Sequence, residues 1–536
     1  MNEIRARVRP RESSAAPMAF APVSALAVRI AGARGGLRLV LAVLAGVAMT
    51  LGHVPVSIPL IWFVAIPVLV WLIDGAEHPV EAAWIGWGAG FGYFVTGLHW
   101  IGHAFLVDAE KFAWLLPFAV TLLPAGLGLF WAAAFWLAQR YWPWHWSRVL
   151  SLAAALTVVE YARTHLFTGF PWALPAYIWS ETGVVQVTAW IGSHGLTLLT
   201  VALTGLPLVV LAGWRGRSSL AIAAGPLAAL AVLWAAGAAR VEDPSYADDA
   251  GVLRIVQPNA AQDVKWDPDH AQDFFDRLIR ETTAAADPTI GSPSAVIWPE
   301  TAVTFLPVDR PDLTQAIAER AGGAPVLLGA LHREGSEPPQ WYNALMVIQP
   351  DGSLGDRYDK HHLVPFGEYL PFEGLFTALG LRQLANRGGF TPGPGPRVMD
   401  IDGLPPFAAL ICYEMIFPHE VVPGAERPAW MLQITNDAWF GGFAGPQQHL
   451  AQARIRAIEQ GLPVARAANT GISAMIDPYG QIRHALALGE HGKIDAKLPQ
   501  PLDATLYSRF GDWPAILLTL ILLLALHLPH HFRSTD

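Results

Sequence analysis

Three residues of different chemistry lie at or just after three separated apolar runs. SAVIWPE (294–300) ends in Glu300, RYDKHHLVPFGEYLPF (357–372) carries Lys360, and FAALICYE (407–414) reaches Cys412. Cys412 is the only cysteine in 536 residues. Each residue has a bland reading. A lone cysteine is most often a small buried hydrophobe, a glutamate after Trp-Pro can cap a helix, and Lys360 can be a solvated loop charge. Together they form a nucleophilic set. A thiol is a weak nucleophile at its free pKa of about 8.5 and needs a base or a positive neighbour, so a lowered pKa and a reactive thiol are expected at Cys412. Glu300 is the candidate base, and Lys360 is the candidate partner of the thiolate and of the oxyanion formed when it attacks a carbonyl.

His361 and His362 raise a metal reading. Adjacent histidines in a strand point to opposite faces, no third histidine lies nearby, and Asp359 is the one close carboxylate, so a ligand set is incomplete. Structural roles are expected for both, with no metal and no cofactor. A single cysteine excludes an internal disulfide framework and a Cys-rich zinc site. The net charge of −9 is unaccompanied by a basic stripe, which argues against nucleic-acid binding.

The elements that must position these residues fall in two kinds of sequence. Charged residues are 15% and apolar residues 53%, against roughly 25% charged in ordinary globular domains. The apolar excess is concentrated at 37–240 and again at 513–528. It predicts spans near 37–53, 56–74, 80–105, 113–138, 148–166, 186–213, 219–239 and 514–530, about eight transmembrane helices in all. The 80–105 and 186–213 segments are long enough to contain a break. TGFPWALPAY (168–177) is too rich in proline and aromatics for a regular helix. It is either a plain loop or a platform beneath the soluble domain.

The division expected is an N-terminal cytoplasmic arm (1–36), a transmembrane domain of about seven helices (37–240), a soluble catalytic domain (241–512), and a closing helix with a cytoplasmic tail (513–536). Basic residues in the arm and in the loops near Gln139–Arg148 and Trp214–Arg217 place those pieces inside and the soluble domain outside the cytoplasm.

Within the soluble stretch, apolar runs at 252–259, 294–300, 325–331, 343–352, 407–414, 430–437 and 473–480 read as strands. Helical patterns at 270–286 and 447–460 lie among them. Alternation of this kind predicts an α/β domain whose sheets are buried on both faces. Reactive residues of such domains gather where strands end.

The ordered strings WPE, DKHHLVPFGEY and ICYE resemble the nitrilase superfamily, which sets a Glu-Lys-Cys triad on an α-β-β-α sandwich. VKWDP (264–268), WPETAV (298–303), WYNA (341–344), DKHHLVPFGEYLPF (359–372), ICYE (411–414), NDAWFG (436–441) and RAANTGISAMIDPYG (466–480) look like the apolipoprotein N-acyltransferase family within it. The likeness runs from about residue 37 to 530 and includes TGFPW in the membrane part; the arm before it has no clear counterpart. The resemblance implies Glu300 as general base, Lys360 as the oxyanion-stabilising lysine and Cys412 as nucleophile. It implies Tyr413, Glu414, Glu368 and, less firmly, Asn343 as supporting residues, and Trp266 and Trp439 as loop tryptophans that bind substrate.

It further implies ping-pong transfer of an acyl chain from a phospholipid, with phosphatidylethanolamine the expected donor. The acceptor is the N-terminal amine of a diacylglyceryl-cysteine apolipoprotein, at the outer face of the bacterial inner membrane. The sequence leaves open how Glu300, Glu368 and Glu414 divide the proton transfers. Two rival readings remain: a membrane-tethered amidase that uses water as acceptor, and a transporter with an external binding domain. For the latter, Glu160 and Arg163 are the best intramembrane charges.

Overall fold

The computed structural model describes residues 20–527, except 141, 144, 214–215, 217, 248–250, 336, 372–388 and 425. The chain divides into a helical unit, residues 1–241 with 505–536, and an α/β unit, residues 242–504. Residues 505–512, polar enough to read with the soluble stretch, therefore belong to the helical unit. Tyr507 and Asp512 are buried there.

The helical unit comprises α1 (Ala21–Ala31), α2 (Gly35–Met49), α3 (Trp62–Asp74), α4 (Pro79–Gly97), α5 (Leu116–Arg140), α6 (Ser147–His165), α7 (Thr188–Ala212) and α8 (Ser218–Arg240). A last helix, Trp513–His527, returns to it at the end of the described chain. Each predicted span contains a helix. Among the described residues, four helical stretches are long and apolar enough to cross a membrane: Gly35–Gly52, Ala109–Arg140, Gly183–Ala212 and Ser218–Arg240. Ala21–Ala31, Pro59–Asp74 and Trp513–Leu526 are apolar but shorter. The expected count of about eight spans is thus not reproduced by length and composition.

Part of the expected arm is also a helix. Ala27 and Ala31 of α1 pack against Trp71 of α3 and Ala212 of α7. The short side chains of APVSALAVRIA give this segment an apolar face without a long apolar run. Both long predicted spans do break. Leu98 ends α4 and a 3-10 turn follows over His99–Phe105. Inside α7, Gly192 has φ +66, and a Cβ there would lie 2.3 Å from the Tyr507 ring, so only glycine fits.

Most of TGFPWALPAY is irregular yet buried, from Pro171 to Tyr177. Irregular backbone at such a place needs polar partners. Arg163 of α6 supplies them, donating to the carbonyls of Phe170 and, at 3.1 Å, Trp172. The guanidinium is neutralised by Glu160, which also accepts from Trp131 Nε1 at 2.7 Å. A second buried set joins Thr164 and His194 (3.0 Å) to Asp512 (2.9 Å). These charges are paired with their neighbours and hold the irregular segments in place.

The α/β unit contains two six-stranded sheets, ordered β12-β1-β2-β3-β4-β5 and β11-β10-β9-β8-β7-β6. The first holds β1 (Val252–Gln257), β2 (Ala295–Ile297), β3 (Val326–Glu334), β4 (Gln340–Ile348), β5 (Leu354–Asp359) and β12 (Gly492–Lys497). The second holds β6 (Val398–Ile401), β7 (Leu404–Ile411), β8 (Trp430–Thr435), β9 (Val464–Ala468), β10 (Ser473–Ile476) and β11 (Ile482–Leu486). Alternate side chains point to opposite faces of a strand, and the core follows that rule. Leu253, Ile255 and Ile297 of one sheet share a core with Phe407, Ile411 and Leu432 of the other. Their neighbours Val256, Val296 and Leu328 face the helices Pro268–Thr283 and Pro311–Arg320 through Leu278 and Ile317. On the opposite outer face, Leu410 and Met431 meet Leu450, Ala453 and Ala457 of helix Gly445–Gln460. The result is an α-β-β-α sandwich.

Candidate active site

Glu300, Lys360 and Cys412 follow the ends of β2, β5 and β7. Pairing of β1, β2 and β3 is parallel, as is that of β7, β8 and β9, so strand ends of one polarity come together in each sheet. Two of these ends carry residues in the left-handed region, Thr301 (φ +45) and Cys412 (φ +52). Non-glycine residues pay on the order of 1 kcal/mol or more for that conformation and keep it only where surroundings impose it. At Glu300 the chain presses against β3: a Cβ on Gly329 would lie 2.5 Å from the Glu300 Cα.

At Cys412 the restraint is Glu414. Its Oε2 accepts from Ile411 N at 2.6 Å, and its Oε1 accepts from the Tyr358 hydroxyl (2.9 Å), His361 N (2.8 Å) and His362 N (3.2 Å). Glu414 therefore ties the cysteine turn to the backbone just after Lys360. His361 Nδ1 lies a further 2.7 Å from Oε1, so five donors surround its two oxygens and make it a clamp. Gln433 Nε2 and His449 Nε2 each lie 3.2 Å from the Cys412 carbonyl.

The charged centre is compact. Lys360 Nζ lies 2.8 Å from Glu368 Oε1 and 3.5 Å from Glu300 Oε1. Asn343 Nδ2 bridges the same two carboxylates, at 2.7 Å from Glu300 and 3.0 Å from Glu368. Glu368 Oε2 accepts from Val364 N at 2.8 Å. Asn343, the least firm of the expected residues, is thus central.

Burial, then the Glu368 carboxylate, pushes the Glu300 carboxyl above the usual range, against the pull of Lys360. Burial would lower the Lys360 ammonium, but Glu368 and Glu300 outweigh it and hold its pKa above the ordinary value. For Cys412 the sequence predicts a pKa lowered by its neighbours. The structure reverses this: burial, then Glu300, raises the thiol, and Lys360 offsets only part of the rise. A raised thiol keeps its proton at rest, so attack by Cys412 on a carbonyl would require a base to take that proton.

Tyr413 packs edge-on against Phe417 (ring centroids 5.0 Å) and His362 (5.6 Å). Trp266 and Trp439 are 48% and 40% exposed, and their indoles lie on loops whose neighbouring residues, Lys265 and Asp437, are buried. His361 Nε2, His362 Nδ1 and Glu420 Oε2 lie within 4.8 Å of one another, a spacing that could hold a cation. The site is already satisfied internally: Glu420 Oε2 lies 2.7 Å from His362 Nδ1 and 3.3 Å from His361 Nε2. Burial opposes charge on His361, but Glu414 and Glu420 raise its pKa to about 9. The arrangement is an imidazolium–carboxylate cluster behind the Lys360 turn.

Two features escape sequence reasoning. Lys265, inside the VKWDP string, is 2% exposed and donates to Thr301 Oγ1 at 2.9 Å. Asp437 and Arg466, inside NDAWFG and RAANTG, pair at 2.5 Å, and Asp437 lies 2.9 Å from His449 Nδ1. Burial would raise Asp437, but Arg466 and then His449 hold it down to about 2. This network fixes the ring that meets the Cys412 carbonyl. The signal available was the strings themselves, without a clue to which polar residue in each is buried.

The fold and the strand-end geometry define a thiol enzyme of the carbon–nitrogen hydrolase class joined to a unit of apolar helices. The family model for carbon–nitrogen hydrolases matches residues 255–503, and that for the apolipoprotein N-acyltransferase N-terminal domain matches residues 45–206. An apolipoprotein N-acyltransferase of Rhodopseudomonas palustris is 43% identical over 522 residues, covering 94% of this chain and 97% of the relative. Those of Brucella suis and Caulobacter vibrioides are each 40% identical, covering 94% and 90% of this chain and 97% and 92% of the relatives. The chain belongs to the apolipoprotein N-acyltransferase family. Among solved structures, an amidase from Nesterenkonia sp. is similar at 19% identity, covering 48% of this chain and 94% of the amidase, with a TM-score of 0.33.

Proposed function

We propose that this enzyme moves an acyl chain from a membrane phospholipid, with phosphatidylethanolamine as the donor, to the N-terminal amine of a diacylglyceryl-cysteine apolipoprotein, through a thioester on Cys412. The observation that carries the mechanism is the cluster of Glu300, Lys360, Glu368 and Asn343, together with Cys412 in the strained turn that ends β7.

As the sulfur attacks the ester carbonyl, the thiol proton passes to Glu300. Its raised pKa suits a group that must accept a proton and return it. The C–S bond forms and the carbonyl oxygen becomes an oxyanion that the Lys360 ammonium compensates. When the ester C–O bond breaks, the proton on Glu300 goes to the departing alkoxide, and a lysophospholipid leaves. The free amine of the lipoprotein then attacks the thioester. A C–N bond forms, the C–S bond breaks, the amine proton passes to Glu300, and from there to the sulfur. Ester and thioester supply the driving force, so no cofactor is needed. Glu368 holds Lys360, Asn343 aligns both carboxylates, and Trp266 and Trp439 meet the acyl substrates.

We place the α/β unit on the outer face of the bacterial inner membrane. The reading rests on the basic residues in the loops of the helical unit and on the seven crossings that the sequence predicts before residue 242. The deciding experiment is mass spectrometry of the full-length protein incubated with phosphatidylethanolamine. An acyl adduct on Cys412, discharged by a diacylglyceryl-cysteine peptide as amide, is expected. Discharge to free fatty acid with no amide would return the enzyme to the amidase reading. Labelling of Cys412 in intact spheroplasts by a membrane-impermeant maleimide tests the sidedness; labelling only after lysis would put the domain in the cytoplasm.

A further inference from the structure

The charges around Glu300 do not balance with the triad alone. Facing one another are the carboxylates of Glu300 and Glu368 and the ammonium of Lys360, with Asn343 as a neutral donor to both carboxylates. Two carboxylates sharing one buried cation would drive one of them to keep a proton. Lys265 supplies the second cation. It comes from the segment between β1 and helix Pro268–Thr283, is 2% exposed, and is anchored by its hydrogen bond to Thr301, the residue after Glu300.

We propose that Lys265 is a positioning residue for Glu300, closing the charge count around the base and pinning its strained turn through Thr301. The inference rests on the reading of Glu300 as general base. Electrostatics agree with the geometry: burial lowers the Lys265 ammonium to about 8 while Glu300 opposes the fall, and Lys265 in turn pulls the Glu300 carboxyl down. The groups that set the Glu300 charge are Lys360 after β5, Glu368 in the following turn, Asn343 of β4 and Lys265. The thiol in turn answers to Glu300, Lys360 and Asp437.

The test measures two rates across a pH series on the full-length protein: alkylation of Cys412 by iodoacetamide, and acyl-enzyme formation from phosphatidylethanolamine vesicles. Lys265→Met should move the acid limb of both profiles upward by about one pH unit, which slows both about tenfold at pH values on the limb itself. Lys265→Arg should stay within about twofold of the wild type, because it keeps the charge. Thr301→Val, which keeps the lysine and removes its anchor, should move the limb in the same direction by a smaller step. Trp266→Ala should slow the lipid reaction and leave the limb in place. A uniform loss at every pH in Lys265→Met, with the limb unmoved, would mean a purely structural lysine and overturn the proposal, as would an unmoved limb in Thr301→Val. If wild-type Cys412 alkylates with an acid limb yet takes no acyl chain from the vesicles, the donor assignment fails and the alkylation profiles still decide Lys265.

Discussion

Glu160 in the helical unit and Glu300 in the sandwich are both buried glutamates beside a buried cation, and their partners differ. Glu160 receives both Arg163 Nε (3.1 Å) and Nη2 on one oxygen and Trp131 Nε1 (2.7 Å) on the other. Glu300 receives Asn343 on Oε1, with Lys360 3.5 Å away and closer to Glu368 at 2.8 Å. Complete pairing fixes a charge and lets it organise backbone, here the irregular segment after α6. Incomplete pairing leaves a carboxylate whose burial lifts its pKa and which can take up a proton. Among the buried glutamates, Glu414 resembles Glu160, with five donors around its two oxygens. With Glu300 as the proposed base, what separates it from the structural Glu160 is its set of donors rather than its burial.

The largest effect should come from Cys412→Ala, which should abolish both acyl-enzyme and transfer. Cys412 is 7% exposed, and exchanging sulfur for a methyl hydrogen removes little packing, so the protein should still insert and fold. Transfer near the wild-type level in washed membranes would end the nucleophile assignment. Next, Glu300→Gln and Lys360→Met should each slow acyl-enzyme formation by about 10²–10³-fold or more, the scale for losing a base or an oxyanion partner. A hydroxylamine-sensitive adduct appearing at the normal rate in either variant would move that residue to the second half of the reaction.

Trp266→Ala and Trp439→Ala should cost less, about tenfold in lipid transfer, with alkylation of Cys412 by a small reagent unchanged. These side chains are half-exposed on separate loops and act on the bulky substrate instead of the thiol. Parallel loss of small-reagent labelling would show that they support the cluster itself.

The sandwich was legible where strands are apolar on both sides. β1, β2, β3, β4, β7, β8 and β10 each contain a run such as VLRIVQ or FAALI. Four of the strands that escaped, β5, β6, β11 and β12, are the four sheet edges. Edges face water and carry charge, as LGDRYD and GKIDAK do. The fifth, β9, is central, but its VARAA is too short and alanine-rich to stand out. At the site, residue types and strand ends identified the triad as a candidate, whereas the work of Glu414 and Lys265 depends on backbone N–H groups and a hydroxyl far away in sequence. No spacing announces such partners. The thiol pKa was misjudged for the same reason: burial, invisible in the string ICYE, outweighs Lys360.

A subtler effect concerns pH. His361 is held protonated up to about 9 by Glu414 and Glu420, against a free value of 6.5. A raised folded-state pKa contributes stability that is fully present below about 6.5 and is lost as pH rises through about 9. The turn carrying Lys360 should therefore become more protease-sensitive on the alkaline side of that window while the thermal midpoint of the protein falls. His361→Gln should flatten this dependence and leave the rate at neutral pH within about twofold. A wild-type profile that is level through the window would mean that the imidazole ring is neutral throughout.

The smallest effect on chemistry is expected from the substitution that most resembles Glu300→Gln. Glu160→Gln exchanges the same carboxylate for the same amide beside a buried cation, but here the Arg163 charge loses its counterion. Removing one partner of a buried ion pair typically costs about 3–5 kcal/mol. The carbonyls of Phe170 and Trp172 would also be held less firmly, because Arg163 would no longer be steered by Glu160. The variant should accumulate poorly and lose its thermal midpoint by several degrees, yet each folded molecule should form acyl-enzyme at the wild-type rate. Glu300→Gln should do the reverse: Lys360 keeps Glu368 at 2.8 Å, so less stability is lost, while acyl-enzyme formation slows by about 10²–10³-fold. Measuring thermal midpoint and active-site-normalised rate for both variants separates the two roles. Equal stability losses, or a matching loss of rate in Glu160→Gln, would show that donor sets do not distinguish the two glutamates.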